Sequence, residues 1–212
     1  MKKLLFLNLT LLALLFFMGC SESDSNDPNE DENQEEIFLC TGNESSSYWP
    51  LTIGNQWTYE GGSDDLILTV IETVEIAGQE YFKIEPSGVL AWEPIYLRVD
   101  NEGNIYQHSA PGSENPSEVL YLPNSPTLNQ EWDSFGNCIL GPCSHYKKVE
   151  SLNETIETGD CTYEDCLAIR EYTITNDGTL IDNGLIFYKQ GVGYLGADGF
   201  SSYLDLVELI LE

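Results

Sequence analysis

The residues able to do chemistry in this chain are six cysteines, two histidines, four tryptophans and a large excess of carboxylates. Beyond Cys20 the cysteines are Cys40, Cys138, Cys143, Cys161 and Cys166, and two pairs share a Cys-x4-Cys spacing. His145 lies two residues from Cys143. That interval just meets the spacing of structural zinc ligands, so a metal centre competes with disulfides. Disulfides form and persist outside the cytoplasm, and the start of the chain implies export. Cys138, Cys143, Cys161 and Cys166 are therefore disulfide candidates, and no metal site is expected. Pairing cannot be read from spacing. A staple between the 138–143 loop and the 161–166 segment is one arrangement, which leaves Cys40 over unless it ties the tail to the domain.

Catalytic patterns are missing. His108 and His145 read as surface histidines near strand ends. The chain has neither a Gly-x-Ser-x-Gly elbow nor a His-Glu-x-x-His helix. Paired acids across a cleft, about 5 or 6.5–9.5 Å apart, would suit glycoside hydrolysis, but so acidic a chain supplies such pairs by chance. The segments 100–104, 175–178 and 181–184 each carry Asp or Asn beside Gly and offer oxygen ligands, so weak calcium binding is considered. None fits the EF-hand loop with its closing Glu, and Asx-Gly turns explain all three equally well. Trp92, in a Gly- and Pro-flanked stretch, and Trp132 are candidates for stacking on a sugar or apolar ring. Trp57 is expected in the core. No catalytic residue and no cofactor is expected.

The opening of the chain fixes its context. Lys2 and Lys3 precede an apolar run from Leu4 to Met18, interrupted only by Asn8 and Thr10, and Gly19 precedes Cys20. A spanning helix needs about 20 apolar residues, so the run reads as a secretory signal over residues 1–19. The competing reading is an uncleaved anchor, but no basic stop-transfer cluster follows. Residues 21–36 hold eight acids, no base and no aromatic, a composition that cannot bury enough apolar surface to fold. Residues 20–44 are therefore read as a disordered acidic tether, and residues 45–212 as one domain.

Charge excludes whole classes of partner. Residues 37–212 carry six bases against 28 acids, a net charge near −22. Nucleic acid is a poor partner, since binding it requires Lys and Arg to replace counterions.

Behind these residues the hydrophobic pattern alternates. Strands are expected at 66–76, 81–85, 95–100, 104–108, 118–122, 146–152, 166–175, 185–190 and 203–211. Turns are expected at 77–79, 101–104, 176–178 and 182–184. Short strands joined by such turns imply antiparallel meander connections rather than crossover helices. The fold class is all-β.

Several segments resemble known proteins. Phe17-Met18-Gly19-Cys20 resembles the lipobox of bacterial lipoproteins, which implies that Cys20 is lipidated and becomes the first residue. Cys20-Ser-Glu-Ser-Asp24 resembles the acidic signal that Bacteroidota place after that cysteine, which implies surface exposure rather than periplasmic retention. "YWPLTIGNQWTYE" (48–60), "GDCTYEDCLAI" (159–169) and "FYKQGVGYLG" (187–196) together resemble a group of bacterial lipoproteins that carry Tyr-Phe-Pro-Leu-x-x-Gly-Asn-x-Trp-x-Tyr, Gly-Thr-Phe-x-x-Cys-Leu and Gly-Val-Gly-Leu segments. The resemblance implies a strongly curved antiparallel sheet or half-barrel like that of periplasmic lipoprotein carriers, and no shared activity. Read from the residues alone, Gly54-Asn55 makes a turn delivering Trp57 and Tyr59 to one strand face. Gly191, Gly193 and Gly196 mark a bulge or bend.

These readings converge on a lipid-anchored, outer-membrane β-domain without catalytic activity. It would act as an accessory or structural subunit of an envelope complex, held to the membrane by its lipid and contacting a protein partner. The rival is a binding module with an apolar or glycan ligand in the concave face of the sheet.

Overall fold

The computed structural model describes residues 40–61, 65–88, 93–112, 117–135, 143–199 and 203–212. Within them the chain forms strands and no helix: β1 (Gln56–Glu60), β2 (Leu66–Ile76), β3 (Gln79–Gly88), β4 (Ile95–Val99), β5 (Ile105–His108), β6 (Glu118–Leu122), β7 (Glu131–Ser134), β8 (Cys143–Thr158), β9 (Cys161–Thr175), β10 (Leu180–Lys189), β11 (Gly193–Asp198) and β12 (Tyr203–Ile210). They form one sheet in the order β6-β5-β4-β3-β2-β1-β12-β11-β10-β9-β8-β7. Except for β6 and β7, neighbours in sequence pair antiparallel, and β1 pairs with β12, joining the two halves of the meander. The edges β6 and β7 carry no ladder between them, yet approach within 8 Å between Cα atoms. The result is a nearly closed, strongly curved antiparallel barrel.

Alternation places the core. On β2, Leu66, Leu68 and Val70 are buried. On β1, Trp57 and Tyr59 face the same way, across from Leu68 and Leu66. Curvature comes from breaks in register, because an extra residue on one strand bends it and increases its twist. The β8–β9 ladder shifts three times between Val149 and Ile156. The end of that hairpin crosses to β12, where the Thr158 hydroxyl donates to Leu206 O at 3.0 Å. β9 is accordingly buried on both faces from Cys166 to Ile169. The β2–β3 turn places Ala77 and Gly78 both at positive φ, 52° and 79°, as a two-residue hairpin turn matched to strand twist requires.

The expected strands lie within observed ones to within a residue or two, with β8, β9 and β10 longer than their apolar stretches. β1 is the strand to which the Gly54-Asn55 turn was expected to deliver Trp57 and Tyr59, and both lie on it. β7, four residues long, was not expected. β11 runs through the glycine-rich segment, and the bulge expected there is present: the ladder to β10 shifts between Phe187 and Tyr188, leaving Leu195 as the extra residue. The expected turn at 182–184 is a correction. These residues lie inside β10, where the ladder to β9 shifts between Asp182 and Gly184, so Gly184 serves a bulge. Residues 40–44, expected as the end of the tether, are packed against the domain. The signal run, Cys20 and the tether through residue 39 lie outside the described residues.

Candidate functional site: an aromatic interior closed by an N-terminal strap

Residues 40–50 cross one region of the barrel as a strap. Asn43 N donates to Gly191 O and Gly191 N donates to Ser47 O, both at 2.9 Å. Gly42 lies so close to the 191–192 segment that a Cβ there would stand 2.6 Å from Val192 Cγ2. The strap ends in Trp49, which is 1% exposed. Its ring lies edge-on to Trp57 at 5.8 Å, with Tyr121, Tyr188 and Tyr194 at 5.6, 6.2 and 6.4 Å between centroids. Such tilted and T-shaped pairs suit the ring quadrupoles.

The polar ends of these rings are mostly paired. Trp57 Nε1 donates to Val192 O at 2.7 Å, Tyr59 OH donates to Tyr194 O at 2.9 Å, and the Tyr121 and Tyr188 hydroxyls share a bond of 3.0 Å. Burial pushes the phenols of Tyr59, Tyr121, Tyr188 and Tyr194 above their usual range. Two buried indole N–H groups, of Trp49 and Trp132, have no acceptor among the described residues. Asn55 is fully buried, its amide donating to Pro50 O at 2.7 Å and its carbonyl accepting from Glu212 N at 2.8 Å. The motif segments around 48–60 and 187–196 thus meet as architecture.

The third segment, 159–169, joins them through sulfur. Cys40 and Cys161 form a disulfide across 121 residues, and Cys40 N donates to the Tyr163 hydroxyl at 3.0 Å. Cys40 therefore ties the tail to the domain. The staple between the 138–143 loop and the 161–166 segment is corrected: Cys143 is disulfide-bonded, but to neither Cys161 nor Cys166. Cys138 lies outside the described residues. Cys166, expected in a bridge, is a free buried thiol. Its S–H donates to Tyr163 O, and burial pushes its pKa up to about 11, so it is protonated at neutral pH and a poor nucleophile.

Of the stacking candidates, Trp92 lies outside the described residues. Trp132 is partly buried and packed against the core, opposite Lys147 on β8. Lys147 is itself buried, 3.3 Å from Glu171 and 3.9 Å from the centroid of the Tyr121 ring, so a cation closes the seam between β6 and β8. His145 bonds Thr173 Oγ1 and Cys143 Sγ through its two ring nitrogens.

His108 is a further correction. It is 9% exposed, its Nδ1 lies 2.6 Å from Ser109 O, and its ring meets Tyr81 edge-on at 5.3 Å. Position near a strand end did not reveal that Tyr81 on β3 covers it. Beside it Arg98 holds Glu118 through two bonds of 2.6 and 2.7 Å, and that contact lowers the Glu118 carboxyl below its usual range.

The calcium-ligand candidates are occupied by hydrogen bonds from the chain itself. Asp100 accepts from the amides of Glu102 and Asn104, Asp177 from Thr175 and Thr179, and Asp182 from Gly184 and Arg170. Among the described residues no group of three or more His, Cys, Asp or Glu gathers as a metal site. One small cavity of about 160 Å3 lies between the β8–β9 hairpin and the sheet, lined by Ile156, Glu157, Phe187, Leu204 and Asp205 among others. Burial, and then Glu60, raise the Asp205 carboxyl above its ordinary range.

Sequence reasoning named Trp92 and Trp132 and passed over the ring cluster of Trp49, Tyr121, Tyr188 and Tyr194. Each of the four stands in an ordinary strand or turn context, and nothing local marks it as a neighbour of the others.

No protein-family model and no curated protein matches the chain. Among solved structures it is similar to a candidate lipoprotein from Parabacteroides distasonis ATCC 8503, at 17% identity and a TM-score of 0.45, covering 79% of this chain and 100% of that one. It is also similar to a candidate exported protein with YmcC-like fold from Bacteroides fragilis NCTC 9343, at 11% identity and a TM-score of 0.46, covering 77% of this chain and 98% of that one.

Proposed function

We propose that this chain is a lipid-anchored, non-catalytic protein of the cell envelope, an accessory or structural subunit of an outer-membrane complex displayed at the surface. The anchor reading rests on the apolar run that stops at Gly19-Cys20 and on the acidic stretch beyond it. The observation that favours a docking role over a ligand carrier is the filled interior. Trp49, Trp57, Tyr59 and Tyr188 are each 1% exposed or less, and they occupy the concavity in which a carrier would hold its ligand. The segment arriving from the anchor is also bonded to the barrel through Cys40, so load on the tether passes into β9.

The test is membrane fractionation of the wild type and Cys20→Ala, followed by affinity purification from mild detergent and mass spectrometry. Cys20→Ala is expected in the soluble fraction, and the wild type is expected to retain a stoichiometric outer-membrane protein. A Cys20→Ala protein that stays in the membrane overturns the lipid anchor. An anchored wild type that retains no partner overturns the subunit role and leaves the binding module.

A further inference from the structure

We propose that the Cys40–Cys161 disulfide is a redox latch on a built-in plug, and that residues 40–49 occupy, in the oxidised protein, a pocket for a flat apolar ring of about indole size. This goes beyond the envelope role and does not depend on the lipid anchor. The strap reads Cys-Thr-Gly-Asn-Glu-Ser-Ser-Ser-Tyr-Trp, a stretch with three serines, a glycine and an asparagine that behaves as a flexible coil when nothing holds it. What it buries deeply is Trp49, among the rings of Trp57, Tyr121, Tyr188 and Tyr194.

The fit of this occupant is incomplete. The Trp49 N–H is buried with no acceptor among the described residues, whereas in water it would be hydrogen-bonded, so the plug gives up a polar contact to sit there. Cys40 is held at φ 73°, the left-handed region that a side-chain-bearing residue adopts at a cost. Both features favour release once the covalent tie is gone. An apolar ring without an unpaired donor would fill the same space without that penalty.

The bridge is arranged for exchange from one side. Cys40 is exposed and Cys161 is buried, so the thiolate of an incoming dithiol reaches the Cys40 sulfur. A mixed disulfide forms there, the Cys40–Cys161 bond breaks, and Cys161 leaves as a thiolate that takes up a proton. The second thiol of the reductant then attacks its own mixed disulfide and releases Cys40 as a thiol. Two electrons and two protons pass to the protein, and the dithiol becomes a disulfide. Cys166, buried and protonated, does not compete to re-form a bridge.

Hydrogen–deuterium exchange of the full chain in mild detergent, with and without dithiothreitol, tests this. Reduction is expected to speed exchange by about tenfold or more over residues 41–49 and 190–193 and to leave β2 and β12 protected. Cys40→Ser, which opens this bridge alone, is expected to do the same without reductant. Added naphthalene, a fused ring of the same size with no N–H, should restore protection at 190–194 but not at 41–49. Unchanged exchange in the strap on reduction overturns the latch. Loss of protection across the whole sheet overturns it as well, since the strap would then be part of the fold. If naphthalene has no effect on the reduced protein, the pocket is overturned.

Discussion

Asn55 offers a sharp test of whether the Gly-Asn-x-Trp segment is architecture. Its side chain is fully buried, donates to Pro50 O at 2.7 Å and accepts from Glu212 N at 2.8 Å. Asn55→Asp keeps the shape and the acceptor but replaces the donor with a second acceptor facing a carbonyl. Burial and that opposed dipole raise the new carboxyl's pKa in the folded state. A rise of about 3 units, within the range for buried carboxyls, corresponds to about 4 kcal/mol at pH 7. In the unfolded chain the group titrates near 3.9, so above that pH the unfolded state binds fewer protons than the folded one. The penalty therefore grows from about pH 4 upward and levels off past the folded pKa. Below about pH 4 the protonated acid can donate to Pro50 O, and the variant should approach wild-type stability. Asn55→Ala is the control: it loses both bonds and leaves a void, costing about 2–3 kcal/mol at every pH. Urea unfolding followed by tryptophan fluorescence, with each variant referred to the wild type at the same pH, separates these effects from the titration of the other acids. A pH-independent cost for Asn55→Asp, or one below about 1 kcal/mol at pH 7, would refute the reasoning.

Alkali and thiol reagents give two further checks. Tyr59, Tyr121, Tyr188 and Tyr194 have phenols raised first of all by burial. Their stability contribution is intact below the unfolded pKa of about 10 and is lost above it, at about 1.4 kcal/mol per pH unit for each phenol; phenolate absorbance should rise together with loss of the β-sheet circular dichroism, and an intact sheet bearing these phenolates near pH 10 would be the contrary result. Cys166 should resist a thiol reagent in the native protein and react after denaturation without reductant, with Cys166→Ser lowering the denatured count by one; rapid reaction in the native state would contradict its buried, protonated form.

The strands from β2 to β6 were legible because the signal is local. Apolar residues at every second position, with Ala77-Gly78 or Gly103 between runs, specify extended segments and tight reversals whatever the rest of the chain does. Gly184 shows the limit of that reading. The same Asp-Asn-Gly composition serves a hairpin turn or a bulge inside a strand, and the length of the partner β9 decides which. His108 likewise looked like a surface histidine until Tyr81, on a different strand, covered it.

The candidate site was scarcely legible at all. Cysteine spacing suggested bridges among four residues in the second half of the chain, whereas Cys161 is bonded to Cys40, 121 residues away. Trp57 reaches Val192 across 135 residues, and Asn55 reaches Glu212 across 157. By itself the sequence determined the all-β class, the order of most strands, the acidic surface and the export-like start, because each depends on composition or a short period. Tertiary structure alone decided that β1 pairs with β12, that the strap fills the interior with Trp49, and which cysteines meet. Those contacts exist only once the sheet has curved far enough to bring the beginning and the end of the meander together.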